Sequence, residues 1–403
     1  PTGDSKPHEI GVAILPGGID DDVPTSSSAP SCPRRSTTTP YAGAEAVMNP
    51  RTSVRGWSGN CADAVAGRSV TIVRLDNGRI IRHFARALPG DDDVPRRLLG
   101  GGDSAVCPAG GGTACRVINS PFDAPVTGTP VVFPNDPGSI GQKVFVGDAD
   151  GTLYRMDISN PDPGKWKAEL FLDTRGTGLG VSFTGDKPIA VPPVVSLGEK
   201  GSLIINVANG DQEDLGTIPA NDHHVVWSVT EVPGASGARP QLNWFLPLDG
   251  GERVTGPMVV FDKTLNFSSY RVNSSANVCQ DGQARIYALD YVKPKTPGNL
   301  ADGGDWKIPG LPTNTQFSSE GVDLIPGVSV RASQACAQAQ TTQDYFGGAR
   351  LGAMLTTPTS YELVANRSKP NAVAGQNAVT QFKKSLSLPR TQTIVDAWAS
   401  VVE

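Results

Sequence analysis

The 403-residue chain carries 46 glycines and 34 prolines, helix-breaking punctuation that excludes a fold of long helices. With 38% hydrophobic and only 19% charged residues, it can bury a core and is not a solvated tail. A formal net charge of -5 argues against a nucleic-acid partner, and no apolar run approaches the ~18 residues of a membrane-spanning helix.

The first apolar run, His8–Leu15, leads into Leu15-Pro-Gly-Gly-Ile-Asp-Asp-Asp-Val-Pro24. A second run, Arg79–Leu88, leads into the similar Leu88-Pro-Gly-Asp-Asp-Asp-Val-Pro95. The echo implies that the chain starts late in a structural unit, which the final run Thr393–Val402 is expected to complete. Pro1 follows no basic, apolar leader, so the sequence reads as a fragment of a longer exported chain. Between the echoes, residues 24–53 lack hydrophobic periodicity and read as a long surface loop. The stretch Leu98–Cys115 contains Gly-Gly-Gly twice but no GxxxxGK[ST] and no helix to hold a phosphate, and it reads as an exposed loop.

A repeat follows. Thr129-Pro-Val-Val-Phe133 recurs as Val191-Pro-Pro-Val-Val195 and as Thr255-Gly-Pro-Met-Val-Val260, with Pro130, Pro193 and Pro257 spaced by 63 and 64 residues. Three short β-branched or aromatic runs follow each copy. They are Lys143–Gly147, Thr152–Ile158 and Ala168–Leu172; then Ser202–Ala208, Val225–Val232 and Gln241–Leu246; then Leu265–Val272, Ala284–Val292 and a weak run around Asp305–Ile308. Four short strands joined by Gly/Asp/Pro turns make a propeller blade. The expected fold is all-β: one closed β-propeller of about six (five to seven) four-stranded blades, spanning residues 1–403 as one domain. Strands from both chain ends close the ring, which removes exposed strand edges. Residues 295–345 read as a second long surface loop.

Six cysteines, Cys32, Cys61, Cys107, Cys115, Cys279 and Cys336, form an even set without CxxC, which favours an oxidising compartment over zinc. Cys107 and Cys115 bracket a glycine-rich segment suited to a local disulfide. The other four allow three pairings, of which Cys32–Cys61 with Cys279–Cys336 is the most local.

Lys143-Val-Phe-Val-Gly-Asp-Ala-Asp-Gly-Thr-Leu-Tyr-Arg-Met-Asp-Ile-Ser159 resembles the signature blade in the carboxy-terminal propeller of type IV pilus tip proteins of the PilY1 class. Trp244–Leu248, Gly251–Val260, Cys279 and Ala284-Arg-Ile-Tyr-Ala-Leu-Asp290 fall in the order of that family's later motifs, and the likeness covers about residues 120–295. The resemblance implies a secreted, non-enzymatic protein of the cell surface and pilus tip, active in adhesion and motility. Its propeller would bind minor pilins, regulate pilus extension and retraction, and follow an upstream adhesive region that engages surfaces or host ligands. It also implies a calcium loop of the type DxDxDGxxD, but the equivalent stretch here, Asn135–Gln142, holds a single carboxylate. No cofactor is certain.

The residues themselves offer one metal candidate, Asp148, Asp150 and Asp157, since an Asp-x-Asp turn can aim two carboxylates at calcium. The spacing is not that of an EF-hand, with Gly151 fourth and Ser159 twelfth, and a plain Asp-Gly hairpin turn is the favoured reading of the same letters. The runs Asp20–Asp22 and Asp91–Asp93 read as solvated turns. His223 and His224 adjoin a strand, where neighbours face opposite sides and do not share a metal. His8 and His83 occupy matching places in the echoing runs, which fits packing. No GxSxG or HExxH occurs. Two other functions fit a propeller. A pyrroloquinoline-quinone dehydrogenase shares strand motifs such as Ile286–Asp290, but the chain lacks adjacent cysteines and a regular Trp repeat. A carbohydrate-binding propeller would show an aromatic cluster.

Overall fold

The computed structural model describes residues 9–18, 67–85, 116–122, 124–134, 139–149, 151–174, 188–198, 201–210, 223–234, 237–271, 282–292, 317–318, 324–333, 360–368 and 379–386. They form five sheets in chain order, and the one helical element among them is a 3-10 turn at Pro163–Lys165. The first sheet holds β1 (Val12–Pro16), β2 (Ser69–Arg74), β3 (Ile80–Ala85) and β4 (Val117–Asn119), with β3 and β4 parallel. The second holds β5 (Val131–Phe133), β6 (Lys143–Gly147), β7 (Thr152–Asp157) and β8 (Lys167–Asp173), all antiparallel. The third holds β9 (Val194–Leu197), β10 (Leu203–Ala208), β11 (Val225–Gly234) and β12 (Gly237–Pro247) in the same pattern.

In the fourth sheet, β13 (Glu252–Val254) and β14 (Val259–Phe261) share one flank of β15 (Thr264–Arg271), followed by β16 (Gln283–Asp290) and β17 (Phe317–Ser318). The fifth holds β18 (Ser329–Ser333), β19 (Ser360–Ser368) and β20 (Val379–Leu386). The repeated Val-Val segments thus form β5, β9 and β14, each on the same side of its sheet.

Successive sheets stack face to face. Val144 and Val146 of β6 join a core with Ile72 and Phe84 of the first sheet, while Phe145 between them joins Ile205 and Trp227 of the third. Ile204 and Trp244 then meet Leu265 and Phe267, and Ile286 meets Leu363. A strand covered on both faces needs apolar side chains at odd and even positions alike, which is why β6 and β10 read as unbroken apolar runs rather than alternating ones. Strands β5, β9, β14 and β18 lie side by side through the stack, as do β4, β8 and β12 at its other margin. We call the β5/β9/β14/β18 margin the leading side. The arrangement is propeller-like.

Two expectations change. Residues 295–345 are not one surface loop: they include β17, β18 and the buried Ile325 and Val328. Their signal was weak because β18 is Ser-Val-Arg-Ala-Ser, although Ile325-Pro-Gly-Val328 echoes the Thr255-Gly-Pro-Met258 approach to β14. The strand that pairs β16 is Phe317–Ser318; the weak run at Asp305–Ile308 lies outside the described residues, as do 24–53, Thr393–Val402 and all six cysteines.

Candidate functional site

The β6–β7 turn is built to join sheets. Asp148 is buried; its carboxylate accepts the Thr152 N–H at 2.7 Å and the Tyr154 hydroxyl at 2.9 Å. Its carbonyl accepts the Ile189 N–H at 2.9 Å, and the next residue, Ala149, donates to the Pro125 carbonyl at 2.8 Å. Ile189 runs so close to the strand end that a side chain at Gly147 would place its Cβ 2.4 Å from the Ile189 Cβ. Gly151, at φ 82°, closes the turn in the left-handed region that glycine tolerates. One step along, Gly210 donates to Pro188 and Asn209 accepts the Val225 N–H at 2.6 Å. We call this the seam end.

Of the proposed metal ligands, Asp148 and Asp157 are placed apart. Asp148 lies at the seam end, whereas Asp157 lies five residues further along β7, about 17 Å at ~3.3 Å per residue. Asp150 lies outside the described residues. Burial pushes the Asp157 carboxyl up, but Ser159, with Arg155 and Lys167, outweighs it and holds the group below the ordinary range. Among the described residues, no three His, Cys, Asp or Glu side chains converge as a metal site. His223 donates from Nδ1 to the Leu248 carbonyl at 2.7 Å, His224 is buried, and His83 is buried on β3 against Thr71. His8 and the two Asp triplets lie outside the described residues.

Two charged networks that sequence reading missed tie strands together. Glu231 on β11 receives Lys143 at 2.8 Å and Arg155 at 3.3 Å from the second sheet, and Arg155 also reaches Glu169 at 3.4 Å. Glu252 on β13 is fully buried and accepts from Ser269, from the Tyr287 hydroxyl at 2.8 Å and from Arg285 at 2.8 Å. Arg285 further reaches Asp249 at 2.6 Å. Burial and the Glu252 charge push the Tyr287 phenol well above its ordinary range. The only trace of the second network in sequence was the Glu-Arg-Val turn; its partners are up to 35 residues away.

Exposed large apolar side chains concentrate elsewhere. Ile10 and Leu75 flank the β1–β2 pair, Ile140 lies on the β5–β6 connection, and Leu197 ends β9. All four sit at the end opposite the seam, in three consecutive sheets, and are 44–68% exposed. Of the other two such residues described, Leu15 is at the seam end and Val379 begins β20. Separately, an open cavity of about 570 Å³ lies beside the fifth sheet, lined by residues including Pro257, Pro326, Arg331, Asn366 and Gln381.

No protein-family model matches the chain, and no curated protein matches it. Among solved structures it is similar to the Pseudomonas aeruginosa PilY1 C-terminal domain, at 11% identity and TM-score 0.38, over 66% of this chain. The chain spans 62% of that domain's length. It is also similar to an alpha-L-arabinofuranosidase of Clostridium thermocellum (12% identity, TM-score 0.25, 69% of this chain and 75% of that one). An exo-1,5-alpha-L-arabinanase from a bovine ruminal metagenomic library matches at 11% identity and TM-score 0.27, over 81% and 89% of the two chains. Scores this low carry no weight on site or activity. What stands is the class: an all-β chain of stacked, largely four-stranded sheets with a propeller-like arrangement.

Proposed function

We propose that the chain is a closed propeller of about six blades that acts by binding partners, as the carboxy-terminal propeller of an exported type IV pilus tip protein. The observation that carries the binding reading is that Ile10, Leu75, Ile140 and Leu197 are all exposed at the same end of three consecutive sheets, where large apolar side chains suit a protein partner. The pilus assignment rests on the ordered motifs. The signature Lys143–Ser159 makes the β6–β7 hairpin, and Gly251–Val260 with Ala284–Asp290 makes β13, β14 and β16. The partners proposed are minor pilins, engaged at the apolar end, and the place of action is the cell surface.

The buried carboxylates Asp148 and Glu252 serve as acceptors within the fold. The test is binding of soluble minor-pilin ectodomains to the immobilised domain, repeated with Leu75→Glu plus Leu197→Glu. We expect binding by the parent and a loss of at least about 10-fold in the double variant, because hot spots sit on such apolar anchors. Absence of parental binding overturns the pilus reading. Arabinose release from arabinan, or quinone absorbance in the purified protein, would replace it with an enzymatic one.

A further inference from the structure

The fifth sheet has one apolar face and one polar face, unlike the strands that are covered on both sides. Residues directly opposite in register share a face. Val330 opposite Leu363, Ala365 opposite Phe382 and Tyr361 opposite Leu386 make the first face, which packs against Ala284 and Ile286 of the fourth sheet. Ser329 opposite Val364, Arg331 opposite Glu362 and Asn366 opposite Gln381 make the second, with Lys383 beside Val364. There Ser329, Arg331, Asn366, Gln381 and Lys383 are all exposed. A face covered by a neighbouring sheet is apolar, as in β6 and β10.

The cavity of about 570 Å³ opens on this polar face, and its size is within the roughly 300–1,000 Å³ of ligand pockets. Pro257, Pro326, Val328 and Val364 give it an aliphatic side, whereas Ser329, Arg331, Asn366 and Gln381 bring hydroxyl, guanidinium and amide groups. Among the described residues, the side chains of Arg331, Asn366 and Gln381 make no hydrogen bond or ion pair, even though Glu362 is the register partner of Arg331. With Arg331 and Lys383 against Glu362, the face is net positive.

The aliphatic wall is held in place. The Ile325 carbonyl accepts from the Thr255 hydroxyl at 2.5 Å and from the Ser268 hydroxyl at 3.0 Å, and Val328 donates to the Pro257 carbonyl at 3.4 Å. Gly256 packs so closely that a Cβ there would meet the Pro326 carbonyl oxygen at 1.7 Å. A wall fixed before binding spares the complex an ordering cost. The cavity lies where β14 and β18 begin, and these strands run in step to Phe261 and Tyr361, whose ring centres are 4.8 Å apart. Leu197 lies where the adjacent β9 ends, so the cavity and the exposed apolar residues are at opposite ends of the leading strands.

We propose that this cavity binds the carboxyl end of a peptide, with its carboxylate on Arg331, its backbone on the amides of Asn366 and Gln381, and an aliphatic last side chain against Pro257, Pro326 and Val364. A guanidinium forks onto a carboxylate through two parallel N–H donors, and a side-chain amide supplies both the donor and the acceptor that a peptide group needs. An acidic sugar carries the same charge, but the described lining has no aromatic ring for it to stack on. The site goes beyond the proposed minor-pilin contact and does not rest on it.

Fluorescence polarisation on the whole chain tests this, with N-terminally labelled Gly-Gly-Ala-Val and Gly-Gly-Ala-Leu, each as free acid and as carboxamide. We expect both acids to bind saturably by about 1 mM and at least about 10-fold more tightly than the amides. Arg331→Gln should erase that preference, whereas Asn366→Ala with Gln381→Ala should weaken acid and amide alike. Should a variant fail to fold, shifts of the Asn366 and Gln381 side-chain amide resonances on adding the acids to the unsubstituted protein give the same answer. Four results overturn the proposal. They are no binding of either acid, equal binding of acid and amide, a preference that survives Arg331→Gln, and tighter binding of an oligosaccharide ending in glucuronate, which would assign the cavity to acidic sugars. Leu75→Glu plus Leu197→Glu should leave peptide binding unchanged, so this reading and the minor-pilin reading fail separately.

Discussion

His83 should make the domain acid-sensitive over a definable window. The ring is 1% exposed on β3, its Nδ1 lies 2.9 Å from the Thr71 hydroxyl, and its Nε2 has no hydrogen-bond partner among the described residues. Burial pulls its pKa down to about 4, against 6.5 in the unfolded chain. The unfolded state therefore binds the proton first as pH falls, and stability contributed by the neutral ring is complete above 6.5 and is lost below it. At 1.36 kcal/mol per pKa unit the loss is about 2 kcal/mol at pH 5 and about 3 kcal/mol at pH 4. The assay is urea unfolding of the parent and of His83→Leu, an apolar replacement that does not titrate, at pH 7, 6 and 5. The difference in stability between the two proteins should shift by about 2 kcal/mol in favour of the variant between pH 7 and 5. Parallel pH profiles, within about 0.5 kcal/mol, would refute the argument.

Three further outcomes follow from buried groups. Asn206→Leu should raise the unfolding free energy by about 1–2 kcal/mol, because both polar atoms of this fully buried amide lack hydrogen-bond partners among the described residues; a loss in thermal melts would mean that the amide is satisfied. Gly147→Ala should cost on the order of 3 kcal/mol, and Ile189→Ala should rescue it only in part, since the Ile189 carbonyl would still lie 2.6 Å from the new Cβ. Full rescue in denaturant titrations would contradict that geometry. Tyr287→Phe removes one donor from the buried Glu252 carboxylate and should cost about 1–3 kcal/mol by calorimetry, with no effect counting against the network.

Much of the fold was legible because leading strands repeat their own chemistry. A strand covered on both faces wants Val-Val, a proline just before it stops the ladder from extending backwards, and the 63- and 64-residue steps exposed β5, β9 and β14. Strand β18 escaped because it has one large apolar residue, Val330, and its cover comes from Ile325 and Val328 before it. Side-chain direction was not legible. Asp148 and Asp157 read as members of one acidic turn, but the first is turned inward by Thr152 and Tyr154 and the second sits at the far end of β7. Nor could Glu252 be matched to Ser269, Arg285 and Tyr287, since register across β13, β15 and β16 decides that meeting.

The residues that made the sequence recognisable are residues that hold sheets together. In Val146-Gly-Asp-Ala-Asp-Gly-Thr-Leu-Tyr154, Gly147 makes room for Ile189, Asp148 binds the turn and Tyr154, and Ala149 ties back to Pro125. Each is dictated by the close approach of neighbouring sheets at the seam, so the motif would be needed by any ligand-binding or catalytic propeller built this way. Specificity has to be carried where the fold imposes least. The exposed Leu75, Ile140 and Leu197 meet that condition, because they follow or end strands at the opposite end and support no core cluster. A change at the seam therefore acts through stability, whereas a change at the exposed apolar residues leaves the core clusters intact, which is what the proposed binding test requires of its double variant.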